Sequence, residues 1–139
     1  MKIDKKIISH ALEHYAYLHR HPELSFQEME TRNYVESILT ELGISYEKAG
    51  LNGIIALLPG KDPNRTIALR ADMDALPIME DEAHSICSLR PGIMHACGHD
   101  LHTACLLGAT EYLHEHSAHL PVNIMLIFQH AEEVLPGGA

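Results

Sequence analysis

The passage HACGHDLHTACLLGATEYLHEHSAHLPVNIMLIF (95–128) determines the fold class. Apolar residues recur in it at three- and four-residue spacing, which predicts a helix over 101–116 with Asp100 as its N-cap. Pro121 then interrupts the helical pattern, and the apolar run 122–128 that follows predicts a strand. A helix that leads directly into an apolar strand is typical of α/β folds.

The same alternation of helices and strands extends towards the amino terminus. Apolar spacing predicts a first helix over 5–19, and the capping-box pattern SFQE (25–28) predicts a second helix that ends at Gly43. The expected buried face of this second helix comprises Phe26, Met29, Val35, Ile38, Leu39 and Leu42. Short apolar runs predict three further strands, at 44–46, 54–58 and 66–69. We therefore predict one α/β unit in which helices cover a mixed sheet.

Composition and charge narrow the classes of function. The 139 residues carry a formal net charge of −9 and the pI is near 5.7, so the chain lacks the basic surface that nucleic acids and anionic membranes attract. No apolar run is long enough to span a bilayer, and residues 1–9 do not resemble a secretory signal. We expect a cytoplasmic protein without a nucleic-acid or membrane partner. Cys87, Cys97 and Cys105 are expected to be thiols or metal ligands, because cytosolic proteins rarely form disulfides.

Three potential metal ligands lie close together just before the predicted third helix. His95, Cys97 and His99 alternate with other residues, and Gly98 allows the backbone to fold tightly around an ion. A thiolate combined with imidazoles suits zinc and its transition-metal neighbours better than magnesium or calcium. The spacing therefore favours a transition-metal site here.

A pair of carboxylates, Glu132 and Glu133, follows the strand predicted over 122–128. On a regular backbone, adjacent side chains point in different directions, so one carboxylate can bind a metal while the other holds a proton. Metal-assisted hydrolysis needs such a general base beside the ion. Most Glu-Glu pairs are only solvated surface, but this pair lies between an apolar strand and a glycine-containing turn, which favours a functional role.

Two further carboxylates, Asp72 and Asp74, follow the strand predicted over 66–69. In an extended backbone both side chains face the same side. They are candidates for metal ligands or for acceptors that orient a histidine. A cap or turn role is the competing interpretation.

Four stretches of the chain, in this order, resemble one known family. They are LHRHPELS (18–25), ALRADMDALP (68–77), MHACGHDLH (94–102) and FQHAEE (128–133). The family is that of the metal-dependent amidohydrolases related to aminoacylase, which includes N-acetyl-diaminopimelate deacetylase, hippurate hydrolase and the plant auxin-conjugate hydrolases. The resemblance implies two divalent metal ions, with zinc favoured by the thiolate and manganese, cobalt or nickel also allowed.

The resemblance also implies roles for individual residues. Cys97, His99 and Glu133 look like metal ligands, and Glu132 looks like the general base and acid that moves the proton during amide hydrolysis. Asp74 matches an aspartate that supports the metal site, and it is the second residue we assign to catalysis.

Other positions are assigned less directly by the resemblance. His95 and Asp100 look like residues that support the ligands from behind, and Asp72 occupies the place where related branches carry a ligating histidine. His130 stands where the family usually has proline, which adds an imidazole next to the two glutamates.

Members of this family are much longer than the present chain. They contain an inserted lid and dimerisation domain, and two further histidine ligands are supplied downstream. We therefore expect residues 1–139 to be the amino-terminal segment of a truncated, zinc-exopeptidase-like catalytic domain, without the lid domain and the carboxyl-terminal part. A truncated sheet exposes an edge and an apolar helix face, so we also expect a homo-oligomer.

Two hypotheses of function follow. In the first, the parent protein hydrolyses the amide bond of N-acyl amino acids or small peptide-like conjugates. In the second, the 139-residue chain is a non-catalytic metal-binding fragment. A redox role for Cys97 and Cys105 is disfavoured, because their spacing is not that of a CxxC motif.

Overall fold

The computed structural model describes residues 4–81 and 83–138. A four-stranded sheet has the order β1-β2-β4-β3, with β1 Tyr46–Ala49, β2 Gly53–Leu58, β3 Asp62–Asp72 and β4 Val122–Gln129. β2 pairs antiparallel with both β1 and β4, whereas β3 pairs parallel with β4. The predicted mixed sheet is thereby confirmed.

Among the described residues, three α-helices accompany the sheet: α1 Lys5–Arg20, α2 Met29–Glu41 and α3 His99–Glu115, the last followed by a 3-10 turn at Ser117–His119. α3 packs on β3 and β4, α1 packs on α3, and α2 packs on β2. A single core joins buried apolar residues of α2, α3, β2, β3 and β4, among them Val35, Leu39, Ile54, Leu107, Leu126 and Phe128. Within the described residues, no helix combines the length and apolar character needed to cross a membrane.

The predicted capping box at the start of α2 is wrong. Ser25 Oγ donates a hydrogen bond to Asp74 instead. The carboxylate of Glu23 accepts hydrogen bonds from the N–H groups of Glu30 and Thr31, at 3.2 and 2.7 Å. The carboxylate of Glu23 therefore satisfies the free N–H groups of the first turn from outside the local sequence.

Two residues expected on the buried face of α2 are exposed. Phe26 has a left-handed backbone (φ 66°) and 37% exposure, and Met29 is 58% exposed. Both precede or open the helix, so the helical periodicity does not apply to them. Val35 and Leu39 are fully buried, as predicted.

The end of α2 confirms the role of Gly43. Gly43 is left-handed (φ 71°), and the N–H groups of Gly43 and Ile44 donate to the carbonyls of Thr40 and Leu39. This arrangement is a Schellman motif, in which Ile44 packs into the core beside Leu39. Ile44 closes the helix rather than opening a strand, and β1 therefore begins at Tyr46 instead of residue 44.

The start of α3 also differs from the prediction. Gly98, with φ 82°, precedes a helix that begins at His99, so Asp100 lies inside the first turn rather than at the N-cap. Its side chain is buried, and Oδ2 contacts His19 Nδ1 at 2.6 Å. The earlier start places His99 on the helix itself.

Candidate metal centre

The predicted site residues gather at one edge of the sheet. β3 and β4 are parallel, so their carboxyl ends meet, and the amino terminus of α3 lies beside them. Asp74 follows β3, Glu132 and Glu133 follow β4, and Cys97 and His99 stand at the beginning of α3. Ligands of open α/β sheets bind at such an edge.

Cys97, His99 and Glu133 each offer one ligand atom, and these atoms lie within 4.8 Å of one another. The imidazole of His99 is buried, whereas the Glu133 carboxylate is partly open to solvent, and His99 Nε2 is 3.9 Å from Glu133 Oε1. Nitrogen, thiolate and carboxylate ligands together suit a divalent transition ion. By the chemistry of its donors, this ligand cluster fits the expected metal.

Asp74, which is fully buried, connects three parts of the site. Its Oδ1 lies 3.2 Å from His99 Nδ1, and its Oδ2 accepts hydrogen bonds from Ser25 Oγ at 2.7 Å and from the N–H of Glu133 at 2.9 Å. Because Asp74 holds Nδ1, the other ring nitrogen of His99 faces Glu132 and Glu133. A carboxylate in this position sets the orientation of a ligating histidine.

For Asp74 and His99, hydrogen bonding and nearby charges change the pKa more than burial does. Burial alone would raise the pKa of Asp74, but hydrogen bonds from His99, Glu133 and Ser25 hold it well below its usual value. Burial would lower the pKa of His99, but the contacts with Asp74 and Cys97 raise it. The site therefore stabilises negative charge on Asp74 and positive charge at His99.

Glu132 is placed differently from Glu133. Its side chain is 41% exposed, and Oε2 lies 3.9 Å from His99 Nε2. It adjoins the ligand cluster without belonging to it. A free carboxylate at the open side of the cluster is able to exchange protons with a bound substrate or water.

Asp72 lies within ligand distance of a second pair of groups. Asp72, His99 and His102 offer atoms within 4.8 Å of one another, but Asp72 Oδ1 is also hydrogen-bonded by the Arg70 guanidinium. The competing cation makes this set a poorer metal site than the ligand cluster.

The sequence did not predict that His19 and Glu80 join Asp100 in a hydrogen-bonded network. His19, from α1, contacts Asp100 Oδ2 through Nδ1 at 2.6 Å and Glu80 Oε1 through Nε2 at 2.7 Å. The position of His19 in the LHRHPELS stretch was the sequence signal that could have identified it. His95 is buried, and burial lowers its pKa to about 4, so its ring is neutral near pH 7. Asp100 contacts His19, and the expectation that His95 and Asp100 support the ligands stays a prediction.

His130 packs against the turn between β1 and β2 and does not join the ligand cluster. The ring is buried, and a Cβ added to Gly50 would come within 2.5 Å of its Cε1 atom. The other two cysteines, Cys87 and Cys105, also lie outside the cluster, and all three are free thiols.

Comparisons with known proteins identify the family of this chain. A family model described as peptidase family M20/M25/M40 matches residues 68–139. The chain is 46% identical over 124 residues to N-acyl-L-amino acid amidohydrolase of Geobacillus stearothermophilus, covering 88% of this chain and 34% of that protein. It is 47% identical over 122 residues to N-acetyl-L-cysteine deacetylase of Bacillus subtilis, covering 87% and 29%.

A solved structure is similar over almost the whole chain. The YXEP protein of Bacillus subtilis, described as a dinuclear metal binding peptidase from the M20 family, superposes with a TM-score of 0.89 at 41% identity, covering 96% of this chain and 38% of that one. The chain thus spans about a third of the length of the relatives that it matches. Its sequence match, its fold and the ligand cluster agree: the chain belongs to peptidase family M20/M25/M40.

Proposed function

We propose that the intact protein hydrolyses the amide bond of N-acyl amino acids or small peptide-like conjugates. The observation that carries this proposal is the ligand cluster of Cys97, His99 and Glu133 with the free carboxylate of Glu132 beside it. The names of two relatives, an N-acyl-L-amino acid amidohydrolase and an N-acetyl-L-cysteine deacetylase, support the choice of substrate class.

Two divalent ions are the proposed cofactors, in line with the solved relative described as dinuclear. In this chain Cys97, His99 and Glu133 would supply ligands to them, and the thiolate favours zinc, with manganese, cobalt or nickel also allowed. When bound, such ions polarise the amide carbonyl and make water a stronger nucleophile near neutral pH.

Glu132 is the proposed proton carrier. Its exposed carboxylate next to His99 takes a proton from the attacking water and delivers it to the nitrogen of the leaving amine. The water oxygen bonds to the carbonyl carbon as the C–N bond breaks, so one carboxylate serves both proton transfers.

Asp74 is proposed to act through its neighbours rather than on the substrate. It orients the His99 ring through Nδ1 and fixes the backbone of Glu133 through Oδ2. Of the two residues predicted as catalytic, we propose that Glu132 touches the reacting atoms and that Asp74 is a positioning residue.

Replacing Glu132 with Gln in the intact protein tests the proposal. We expect turnover of N-acetyl amino acids to fall by about 10²- to 10⁴-fold, with metal content per chain unchanged by elemental analysis. The matched control is Glu133→Gln, the neighbouring carboxylate, which should lose metal as well as activity. A Glu132→Gln protein that stays active refutes the assignment.

A second function is favoured by one observation: three donors meet within this chain alone. Residues 1–139 would then bind one ion without catalysis. Metal bound to this chain and lost in the double change Cys97→Ala, His99→Ala supports binding, and amide hydrolysis by the same preparation in proportion to added metal argues against a purely binding role.

A further inference from the structure

The carboxylate of Glu28, the residue just before α2, is fully buried. Its Oε1 accepts hydrogen bonds from the N–H groups of Phe26 at 3.0 Å and Ala131 at 2.7 Å, and its Oε2 accepts one from the side-chain amide of Asn52 at 3.0 Å. All three donors are uncharged. Burying a carboxylate among neutral donors is costly, so its three hydrogen bonds must together offset the cost.

The two backbone donors share an unusual conformation. Phe26 (φ 66°) and Ala131 (φ 50°) are the two non-glycine residues with positive φ in the ranges 4–81 and 83–138. A left-handed backbone is unfavourable for residues with a Cβ atom. One carboxylate oxygen of Glu28 therefore stabilises both of these turns, although they are 105 positions apart in the sequence.

The turn at Ala131 leads directly into the two glutamates of the site. β4 ends at Gln129, so sheet hydrogen bonds no longer direct the chain at this point. On the amino side of Glu132, the N–H of Ala131 is held by Glu28. On the carboxyl side, the N–H of Glu133 is held by Asp74 at 2.9 Å. Two buried carboxylates thus fix the backbone on both sides of Glu132.

We propose that Glu28 is a positioning residue. It holds the turn at Ala131 and thereby sets where the carboxylates of Glu132 and Glu133 lie relative to Cys97 and His99. The contact between Glu28 and the turn follows from the structure alone. The effect of the turn on catalysis rests on the proposed function.

A role confined to helix α2 does not account for these contacts. The free N–H groups in the first turn of α2 are accepted by Glu23, and Glu28 makes no side-chain cap. Two of the three donors to Glu28 lie outside the segment that leads into α2, at Asn52 and Ala131. The contacts of Glu28 therefore connect the turn at Ala131 to Asn52 and to the segment that leads into α2.

The test replaces Glu28 with Gln in the intact protein. The new amide keeps the size of the side chain but turns one acceptor into a donor, which then opposes either the donating amide of Asn52 or the donating N–H groups of Phe26 and Ala131. The double change Glu28→Gln, Asn52→Asp restores the pairing, because an aspartate oxygen accepts from the glutamine amide. The double variant keeps the proposal testable if the single variant does not fold.

Three measurements report the position of the turn and its consequence. We expect Glu28→Gln to speed amide exchange in the peptide 129–135 by about tenfold. We expect it to change the visible absorption of the Co²⁺-loaded protein, because Glu133 moves. We expect kcat to fall by about 10²-fold with little change in KM. The double variant should return all three towards the parent values.

The matched control is Thr110→Val, which removes one buried hydrogen bond, from Thr110 Oγ1 to the Leu106 carbonyl, in the middle of α3. It should lower the melting temperature without changing the exchange of peptide 129–135 or kcat. If Glu28→Gln behaves like this control, Glu28 is only structural and the proposal is overturned. A double variant that recovers slow exchange but not kcat also overturns it.

Failure of the proposed function gives a different pattern. If the parent protein does not hydrolyse N-acyl amino acids, the amide-exchange and Co²⁺ measurements still decide whether Glu28 positions the turn at Ala131. Fast exchange and an altered spectrum in Glu28→Gln uphold the positioning of the turn without the chemistry. Unchanged exchange and spectrum reject the positioning whatever the activity.

Discussion

Single hydrogen-bonded carboxylates organise the candidate site. Asp74 connects His99, Ser25 and Glu133, and Glu28 connects Phe26, Asn52 and Ala131. Each is buried, and each accepts from donors that belong to different elements. A buried acceptor that loses this capacity leaves its donors unsatisfied, so changes at these positions are expected to be costly.

Asp74→Asn is predicted to weaken metal binding. The new amide group must face either Ser25 Oγ and the Glu133 N–H or His99, so at least one of these loses its acceptor. We expect the affinity for Zn²⁺ to fall by about 10- to 100-fold, measured by competition with a chromophoric chelator. Asp62→Asn, a change at the start of β3, is the control and should bind normally. Equal affinity in both variants would contradict the role of Asp74.

His14 provides a test of pH dependence. Burial, helped by the nearby His10, lowers its pKa below 6.5, while its Nδ1 pairs with the Tyr34 hydroxyl. The unfolded chain therefore binds a proton at a higher pH than the folded chain, so stability falls as the pH drops through about 6.5 towards the folded pKa.

We expect His14→Gln, which does not titrate, to reduce this loss. The measurement is the difference in melting temperature between pH 8 and pH 5, compared with the parent chain at constant ionic strength. The pair of His10 and Glu111 is present in both proteins. An equally steep or steeper pH dependence in the variant would show that His14 does not contribute.

At the scale of elements, two glycines with positive φ make different demands. Gly43 ends α2 with φ 71°, and a Cβ added there meets no atom within 4 Å. Gly50 lies in the turn between β1 and β2 with φ 60°, and a Cβ there would come within 2.5 Å of His130 Cε1. The first position constrains only the backbone, whereas the second constrains the packing of a buried ring as well.

Replacing these glycines with alanine should therefore have unequal effects. We expect Gly43→Ala to cost about 1 kcal/mol of unfolding free energy and Gly50→Ala about 3 kcal/mol, because overpacking is added to the backbone cost. Urea denaturation measures both values. If Gly50→Ala costs as much in a His130→Ala background as in the unmutated chain, the clash with the ring is not the cause.

At the scale of the whole molecule, apolar surface remains uncovered. α1 and α3 border a groove of about 510 Å³, and Ile8, Leu12 and Leu101 beside it are 49%, 62% and 51% exposed. β3 pairs with β4 on one side only, within the described residues, and carries the exposed Ile67. An open strand edge and exposed apolar side chains promote association between chains.

We predict that the chain of residues 1–139 self-associates. Sedimentation velocity over a range of concentrations should show oligomers, and the double change Leu12→Lys, Leu101→Lys should shift them towards monomer. Leu51→Lys is the control, since Leu51 is 61% exposed in the turn between β1 and β2. An unmutated chain of residues 1–139 that remains monomeric at every concentration would contradict the predicted homo-oligomer.

The sequence by itself determined the helices, the mixed sheet and the family. Apolar periodicity placed α1, α3 and β4 to within about two residues, and the resemblance identified Cys97, His99, Glu132 and Glu133, which the structure brings together. Each of these patterns is contained in a short stretch of the chain. Local spacing of apolar groups and ligands is visible without knowing what packs against them.

Only the tertiary structure decided which polar groups satisfy one another. Ser25 pairs with Asp74 instead of capping α2, Asp100 pairs with His19 instead of capping α3, and Glu28 reaches Ala131. The partners in these pairs are between 49 and 103 positions apart. A buried polar group takes the partner that folding brings within reach, and in the interior an unpaired donor or acceptor costs more than a local cap contributes.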